Sequence, residues 1–220
     1  MSHEFDITAV VFELELSGRS PIVVFENVKR FEMPVVTNIA GNRRLLASAL
    51  GIASDDLPAA FQERCQNYIS VEVISAPPWQ EVVFEGEDVD LTRLPIPFHF
   101  EVDAAPYITA GKITARDPEI GVDTTSFHRL MLKGKDRLGV SLHSRRRMYI
   151  YHQNAEARGE TLPVVIAIGT HPLHYMGSMA DPYPPGGAVR YGRPRGGGRR
   201  RDRHRGRDPS RRARARGPVR

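Results

Sequence analysis

Residues 107–179 carry the hydrophobic pattern that most restricts how this chain can fold. Apolar and polar residues alternate, with interruptions, through residues 108–114 and again through residues 127–133, which predicts two strands that each have one buried face. A segment of helical character follows and ends at Gly159. Residues 164–168 then form an unbroken apolar run, and such a run is typical of a strand that is buried on both faces.

The first 104 residues alternate short helices with short strands. Helical spacing predicts a helix over residues 6–16 with Asp6 as its N-cap. A second helix is predicted to end at Gly51, and a third to begin at Ser54 or Asp55. The bounds predicted for these two helices are 42–50 and 54–68, and the predicted strands are 21–25, 34–37, 71–74 and 82–84.

A proline-rich stretch separates this first part from the strand-rich second part. Residues 91–105 contain Pro95 and Pro97, with Pro106 directly after them, and therefore predict a connector rather than a regular element. The chain is 40% apolar, which is enough to build a core. We therefore predict an α/β (α+β) fold with an α/β segment at residues 1–104 and a strand-rich unit at residues 105–180.

The basic character of the chain belongs to residues 190–220, which contain 14 Arg, 2 Asp and no Lys. Since the whole chain has a net charge of +5, the first 189 residues carry −7 and show no basic surface for nucleic acid. Residues 181–220 are predicted to be a disordered tail, because so few apolar residues cannot offset the entropy of ordering.

Two explanations for this tail stay open. It is either an arginine-rich arm that binds nucleic acid or a stretch translated from a shifted reading frame, since Arg, Gly, Pro and Ala all have codons made only of G and C. The absence of Lys favours the shifted frame, because basic arms usually mix Lys with Arg.

Composition also limits the compartment. The chain has no apolar run of about 18 residues and no basic–apolar secretory pattern at its start, so we predict a cytoplasmic protein without a membrane span. Cys65 is the only cysteine, which excludes an internal disulfide and a cysteine-rich zinc site. We expect Cys65 to be a small, half-buried hydrophobic residue of a helix.

An ordered set of short motifs runs through residues 5–180. It comprises FENV from Phe25, PVVTNIAGNRR from Pro34, YIT-x-G from Tyr107, DPE-x-G from Asp117, S-x-x-R from Ser126, A-E-x-x-G from Ala155 and IG-x-x-P from Ile168. Each motif is weak alone, but their order and spacing resemble the UbiD family of decarboxylases, which use prenylated flavin and include polyprenyl-hydroxybenzoate carboxy-lyase. The resemblance implies an N-terminal α/β segment followed by the start of a split-β-barrel-like flavin-binding domain.

The resemblance also implies where the chemistry lies. Arg129 aligns with an arginine beside flavin and substrate, where a guanidinium can hold a carboxylate with two hydrogen bonds. Without the resemblance, Arg129 would be interpreted as a surface arginine that is paired with an acidic side chain. Ser126, Phe127 and His128 occupy positions that touch prenylated FMN in relatives; we expect Ser126 to donate a hydrogen bond, Phe127 to form an apolar wall, and His128 to be solvent-facing or buried in the core. Secondary flavin contacts implied by the resemblance are Gly177, Ser178 and Met179.

The family holds a divalent metal, Mn²⁺ or Mg²⁺, against the flavin phosphate, and here the chain departs from the pattern. Thr124 stands where the family has an asparagine ligand and Arg147 where it has a histidine, while the third ligand, a glutamate, has no counterpart. Threonine is a poor oxygen ligand and arginine cannot coordinate, so these residues argue against the usual metal site. Arg145, Arg146 and Arg147 either bind the phosphate as cations or form a basic, solvated first turn of a helix.

Together these features predict a truncated carboxy-lyase. The intact relative would reversibly remove CO₂ from a small-molecule aromatic or α,β-unsaturated carboxylic acid. The family's E-x(4)-E residues for proton transfer and its C-terminal oligomerisation domain lie on segments that this chain does not reach, so we expect the chain to be inactive although family members are homo-oligomers. The alternative is a non-catalytic acidic α/β module with an arginine-rich arm for nucleic acid.

Overall fold

The computed structural model of the protein describes residues 1–67, 74–75, 77–143 and 146–180. The predicted tail and all but Ile74 of the strand predicted at 71–74 lie outside these residues. Helices and strands are mixed, which confirms the predicted α/β (α+β) class. The elements are α1 (Asp6–Leu16), β1 (Val23–Phe25), β2 (Val35–Thr37), α2 (Arg43–Leu50), α3 (Leu57–Arg64), β3 (Tyr107–Ile108), β4 (Lys112–Arg116), β5 (Asp123–Phe127), β6 (Leu130–Leu132), β7 (Leu138–Val140), α4 (Arg147–Ala157), β8 (Val164–Ala167) and α5 (Pro172–Met179).

Helix α1 packs against a two-stranded antiparallel sheet. Strands β1 and β2 pair with Val24 opposite Val36, and Ile7 of α1 is buried against Phe25 and Val28. The bounds predicted for α1 are confirmed, but its predicted N-cap is wrong, because Asp6 is already the first helical residue. The Asp6 carboxylate instead accepts a hydrogen bond from the Ser2 backbone N–H at 2.9 Å, and a negative charge in the first turn favours the helix.

Helix α2 begins and ends where its sequence predicts. The Asn42 side chain accepts a hydrogen bond from the Arg44 backbone N–H, and Gly51 ends the helix with a left-handed φ of 70°. Helix α3 is shorter than predicted, since it ends at Arg64 and starts only after a 3-10 turn at Ser54–Asp56. Pro58 lies in its first turn, where the missing N–H is not needed.

The strand predicted at residues 82–84 is wrong. No described strand pairs with this segment, and Val82 and Val83 are exposed, while the Arg93 guanidinium covers the Phe84 ring at 4.6 Å from its centroid. The connector predicted at residues 91–105 is confirmed, since it holds only a 3-10 turn and one bridge between Phe98 and Glu4. A strand needs a partner for its backbone, and this one finds none in the described part of the chain.

The two alternating strands predicted at 108–114 and 127–133 are each divided between two sheets. Tyr107–Ile108 pairs with β6, whereas Lys112–Arg116 pairs with β5 and β8. Gly111 lies at this change of sheet, where an added Cβ would come within 2.8 Å of Leu130 Cδ1. The chain changes sheet again between β5 and β6, and the two resulting antiparallel sheets have the strand orders β3–β6–β7 and β5–β4–β8.

Strand β8 forms where the apolar run predicts a strand, but the predicted burial on both faces is wrong. In the described structure β8 pairs only with β4 and lies at the edge of its sheet. Val164 and Val165 are 46% and 67% exposed. An apolar run of this length is typical of a central strand, and burial depends on a neighbouring strand that the described residues do not supply.

Helix α4 covers one face of the β5–β4–β8 sheet. Its Met148 and Tyr151 share an apolar cluster with Ile113, Ala115 and Leu130. The helix ends at Ala157 and Gly159 follows with a φ of 68°, which confirms the predicted helix end. Among the described residues, no helix is both long enough and apolar enough to cross a membrane.

Candidate active site

Strands β4 and β5 place their side chains on two opposite faces of the sheet. Thr124 pairs with Ala115 and Ser126 pairs with Ile113, so these two polar residues share the face that packs against α4. Phe127, one residue further along, points to the opposite face, where the Tyr175 ring of α5 stacks on it at 5.0 Å between centroids. The predicted flavin contacts Ser126 and Phe127 therefore lie on different faces of one strand.

Ser126 and His128 form a hydrogen-bonded pair. The distance from Ser126 Oγ to His128 Nε2 is 2.8 Å, and the other ring nitrogen, Nδ1, lies 3.3 Å from the Ser141 backbone oxygen. His128 is half-buried. It is therefore neither the solvent-facing residue nor the buried core residue that its sequence position suggests. The structure thus joins two of the residues that the sequence singles out and adds Ser141, which the sequence does not indicate.

Arg129 lies between β5 and β6 rather than in the middle of a strand, so the mid-strand position predicted for it is wrong. The change of sheet at this point releases the residue from the strand pairing. Arg129 is exposed, and its guanidinium has no hydrogen-bond or ion-pair partner within the described ranges. The alternative interpretation, a surface arginine paired with an acid, therefore has no support among these residues. An unpaired guanidinium keeps all its donors available for a carboxylate.

The face toward α5 buries a lysine that sequence reasoning missed. Lys112 is 1% exposed, and its Nζ has no hydrogen-bond partner among the described residues. The Nζ atom lies 5.5 Å from the centroid of the Tyr175 ring, and burial lowers the pKa of this ammonium. The sequence signal was ambiguous, because Lys112 alternates with Ile113 and shares its face with Thr114 and Arg116, as on an exposed face.

Tyr175 holds α5 against this face of the sheet. Its hydroxyl donates a hydrogen bond to the Ala110 carbonyl oxygen at 3.0 Å, and burial raises the pKa of Tyr175. His174, on the same helix, has its pKa lowered, first by burial and then by the charge of Lys112. A neutral His174 is therefore favoured beside the buried ammonium.

The other predicted flavin contacts lie at the ends of α4 and α5. Arg147 is the first residue of α4 and is half-buried, whereas Arg146 precedes the helix and is exposed. The Ser178 hydroxyl donates to the Tyr175 carbonyl oxygen at 2.8 Å inside α5, and Met179 is 72% exposed at the end of that helix. Arg145 lies outside the described residues.

The donor set does not fit a divalent metal. In the described ranges, no three His, Cys, Asp or Glu side chains come close enough to hold one ion. Thr124 is buried and offers a neutral hydroxyl, and Arg147 is a cation. Hard divalent cations prefer carboxylate oxygens, which neither aligned position supplies.

Comparison with protein families gives two consecutive matches. Residues 1–65 match the 3-octaprenyl-4-hydroxybenzoate carboxy-lyase N-terminal domain, and residues 71–188 match the Rift-related domain of the same enzyme. Anhydromevalonate phosphate decarboxylase of Methanosarcina mazei is 41% identical over 150 residues, which cover 68% of this chain and 34% of that protein. The protein of the same name from Methanothermobacter thermautotrophicus is 36% identical over 151 residues, which cover 69% of this chain and 34% of that protein. The chain therefore spans about a third of the length of these curated relatives.

Solved structures give the same fold. An evolved dimeric form of the UbiD-class enzyme HmfF from Pelotomaculum thermopropionicum, in complex with prFMN, matches with a TM-score of 0.76 and 34% identity over 82% of this chain and 42% of that one. The apo 3,4-dihydroxybenzoic acid decarboxylase of Enterobacter cloacae matches with a TM-score of 0.73 and 26% identity over 81% of this chain and 39% of that one.

Proposed function

Because the chain belongs to the UbiD family of carboxy-lyases, we propose that residues 1–180 form the flavin- and carboxylate-binding part of a decarboxylase. The substrate class is an aromatic or α,β-unsaturated carboxylic acid. HmfF, a structural neighbour at 34% identity, was solved with prFMN and with FMN, and this supports prenylated FMN as the cofactor. The observation that carries the proposal is the segment Ser126–His128–Arg129, which brings a polar pair and an unpaired guanidinium to one end of β5.

Arg129 binds the substrate carboxylate in this proposal. Its exposed guanidinium has two parallel N–H groups for the two carboxylate oxygens and fixes the plane of the carboxylate. Decarboxylation requires the breaking C–C bond to overlap with the π system that takes up its electrons, so a fixed plane lowers the entropic part of the barrier. A lysine at this position would attract the carboxylate but would not set its plane.

In this proposal the flavin lies across the outer edge of β5, the first strand of the β5–β4–β8 sheet, where it reaches Ser126 on one face and Phe127 on the other. When bound, prenylated FMN supplies the electron sink for the bonding electrons that CO₂ leaves behind. The chain contributes a polar contact through Ser126 and an apolar wall through Phe127, whose ring is held by its stacking on Tyr175. Secondary contacts from Gly177 and Met179 are consistent with their place at the end of α5, whereas the Ser178 hydroxyl is used inside the helix.

The flavin phosphate is proposed to bind basic side chains at the start of α4 rather than a metal. Arg147 is the first residue of α4, and this helix contacts β5, the strand that holds Thr124. A helix N-terminus adds a partial positive charge that favours a phosphate. This arrangement replaces a divalent cation by fixed cations.

The stretch after residue 180 is proposed to be translated from a shifted frame. The family match ends at residue 188, and the run of Arg without Lys begins at Arg190. Residues translated from a shifted frame cannot supply the acid that protonates the product carbon. We also propose that the boundary between the N-terminal α/β segment and the flavin-binding unit lies between residues 104 and 105. The proposed location of the protein is the cytoplasm.

Turnover tests the assignment of Arg129. The 220-residue chain is expected to release no CO₂ from cinnamic or hydroxybenzoic acids with prenylated FMN and Mn²⁺ supplied, and the protein with its frame restored is expected to release it. In the restored protein, Arg129→Ala should lower kcat/KM at least about 100-fold, because the carboxylate loses its two-point partner. Arg137→Ala is the matched control, since the Arg137 side chain is 80% exposed.

Two outcomes would contradict this proposal. Turnover by the 220-residue chain itself would exclude the truncation, and an unimpaired Arg129→Ala variant would exclude the site. The nucleotide sequence after codon 180 gives an independent check, since a neighbouring frame should encode an acidic helix and, further on, an E-x(4)-E pattern. Stop codons in both other frames would rule out the shifted frame and favour a basic arm for nucleic acid.

A further inference from the structure

The hydrogen bonds of His128 determine which ring nitrogen carries the proton. A backbone carbonyl oxygen only accepts hydrogen bonds, so the contact of 3.3 Å between Nδ1 and the Ser141 oxygen requires a proton on Nδ1. In the neutral imidazole Nε2 then has a lone pair and no proton. The hydroxyl of Ser126, 2.8 Å from Nε2, must therefore donate to His128.

This direction reverses the role expected for Ser126. A hydroxyl has one proton and two lone pairs, and the proton of Ser126 is used in the bond to His128. Toward a ligand, Ser126 therefore offers lone pairs and accepts a hydrogen bond. The oxidised isoalloxazine ring of FMN carries one N–H group, at N3, which donates to an acceptor of this kind.

The pair is held by strands of two different sheets. Ser126 belongs to β5, while Ser141 directly follows β7. Leu130 of β6 pairs with Val140 of β7, and this pairing brings Ser141 beside His128, two residues before Leu130. Leu130 is 1% exposed, so the strand that follows His128 is fixed in the core.

We propose that His128 is a positioning residue that fixes the Ser126 hydroxyl as a hydrogen-bond acceptor for a ring N–H group of the flavin. The inference rests on the proposed function, because it takes from it that a flavin lies against β5. His128 itself does not touch the flavin; it acts through Ser126.

Flavin titration of the 220-residue chain tests the coupling between the two residues. FMN is the probe, and its affinity and visible absorption are measured for wild type, Ser126→Ala, His128→Phe and the double variant. Each single variant should weaken FMN binding by about three- to tenfold, the cost of one net hydrogen bond. The double variant should be no weaker than the single ones, because both remove the same interaction.

Two further variants separate positioning from folding. His128→Gln keeps a side-chain acceptor for the Ser126 proton and should restore at least half of the lost binding free energy. His152→Phe is the matched control, since His152 is an exposed histidine of α4 and should leave FMN binding unchanged. Additive losses in the double variant, or full binding by His128→Phe, would overturn the proposal.

Nitrogen-15 NMR of the histidine rings tests the tautomer without any flavin. The His128 signals are assigned by their loss in His128→Phe and should show the Nδ1–H tautomer in wild type. In Ser126→Ala the Nε2–H tautomer should become populated, because Nε2 loses its donor. An Nε2–H tautomer in wild type would overturn the positioning role whether or not FMN binds, whereas failure of wild type to bind FMN would count against the proposed function alone.

Discussion

The two faces of the β5–β4–β8 sheet are packed in opposite ways. The face toward α4 buries Ile113 and Ala115 in a continuous apolar cluster with Met148. The face toward α5 buries Lys112, whose ammonium has no hydrogen-bond partner among the described residues. Burying apolar area stabilises a fold, whereas burying an unpaired charge opposes it. One face of the sheet therefore supports the fold, and the other carries a local cost beside the candidate site.

The largest effect should follow from a change on the face toward α4. Ile113→Ala should lower the free energy of unfolding by about 2–5 kcal/mol, because it leaves a cavity between the sheet and α4. Urea denaturation measures the change, with Val165→Ala as the control, since Val165 lies on the neighbouring strand and is 67% exposed. Equal losses in the two variants would show that this face is not a packed core.

A change of opposite sign is expected on the face toward α5. Lys112→Met keeps the length of the side chain and removes the unpaired charge, so it should raise the free energy of unfolding by about 1–3 kcal/mol. The control is Lys133→Met, which removes the same charge from an exposed position and should leave stability unchanged. Destabilisation by Lys112→Met would mean that the contact of the ammonium with the Tyr175 ring outweighs the cost of burial.

The pH dependence of the free energy of unfolding should show the same difference between the two faces of the sheet, with a smaller effect. Burial lowers the pKa of Lys112 below its ordinary value of 10.5, so the unfolded chain binds more protons than the folded one in the range between the two values. The stability of wild type relative to Lys112→Met should therefore rise as the pH approaches 10.5. Denaturation midpoints of both proteins across this range measure the difference, and parallel curves would contradict the buried charge.

The smallest effect is expected at the solvated end of the same sheet. Arg116 donates two hydrogen bonds to Asp123 at 2.8 and 3.1 Å, and side-chain hydrogen bonding to Arg116 is the main reason why the pKa of Asp123 is lowered. Both side chains are at least half exposed, so water and salt screen the pair. Asp123→Asn should shift the thermal midpoint at neutral pH by no more than about 2 °C. Any stabilisation by the pair should disappear as the pH falls below 3.8, through the lowered pKa of Asp123.

Features that depend on near neighbours in the chain were predictable. Asn42 and Gly51 bound α2 because a cap and a left-handed glycine act within one turn of the helix. The prolines of residues 91–105 exclude regular pairing in the same local way. The family assignment was also accessible, because the motifs kept their order and spacing over residues 5–180 and the family models match the same region.

Features that depend on what covers a residue were not predictable. The alternation at residues 108–114 correctly indicated strand, but the change of sheet at Gly111 follows from the close approach of Leu130. The apolar run at β8 correctly indicated strand as well, yet its burial requires a second neighbouring strand. In the candidate site, the sequence indicated Ser126 and Arg129, whereas the hydrogen bond between Ser126 and His128 became visible only in the structure.

The sequence by itself therefore determined the class of fold, the family and the residue types at the end of β5. Tertiary structure decided which face each residue occupies and which partner it has, as when Tyr175 reaches Ala110 across 65 residues and closes α5 over Lys112. The physical reason is range: capping, turn formation and periodicity act within a few residues, whereas burial and hydrogen-bond direction depend on segments that meet only after folding.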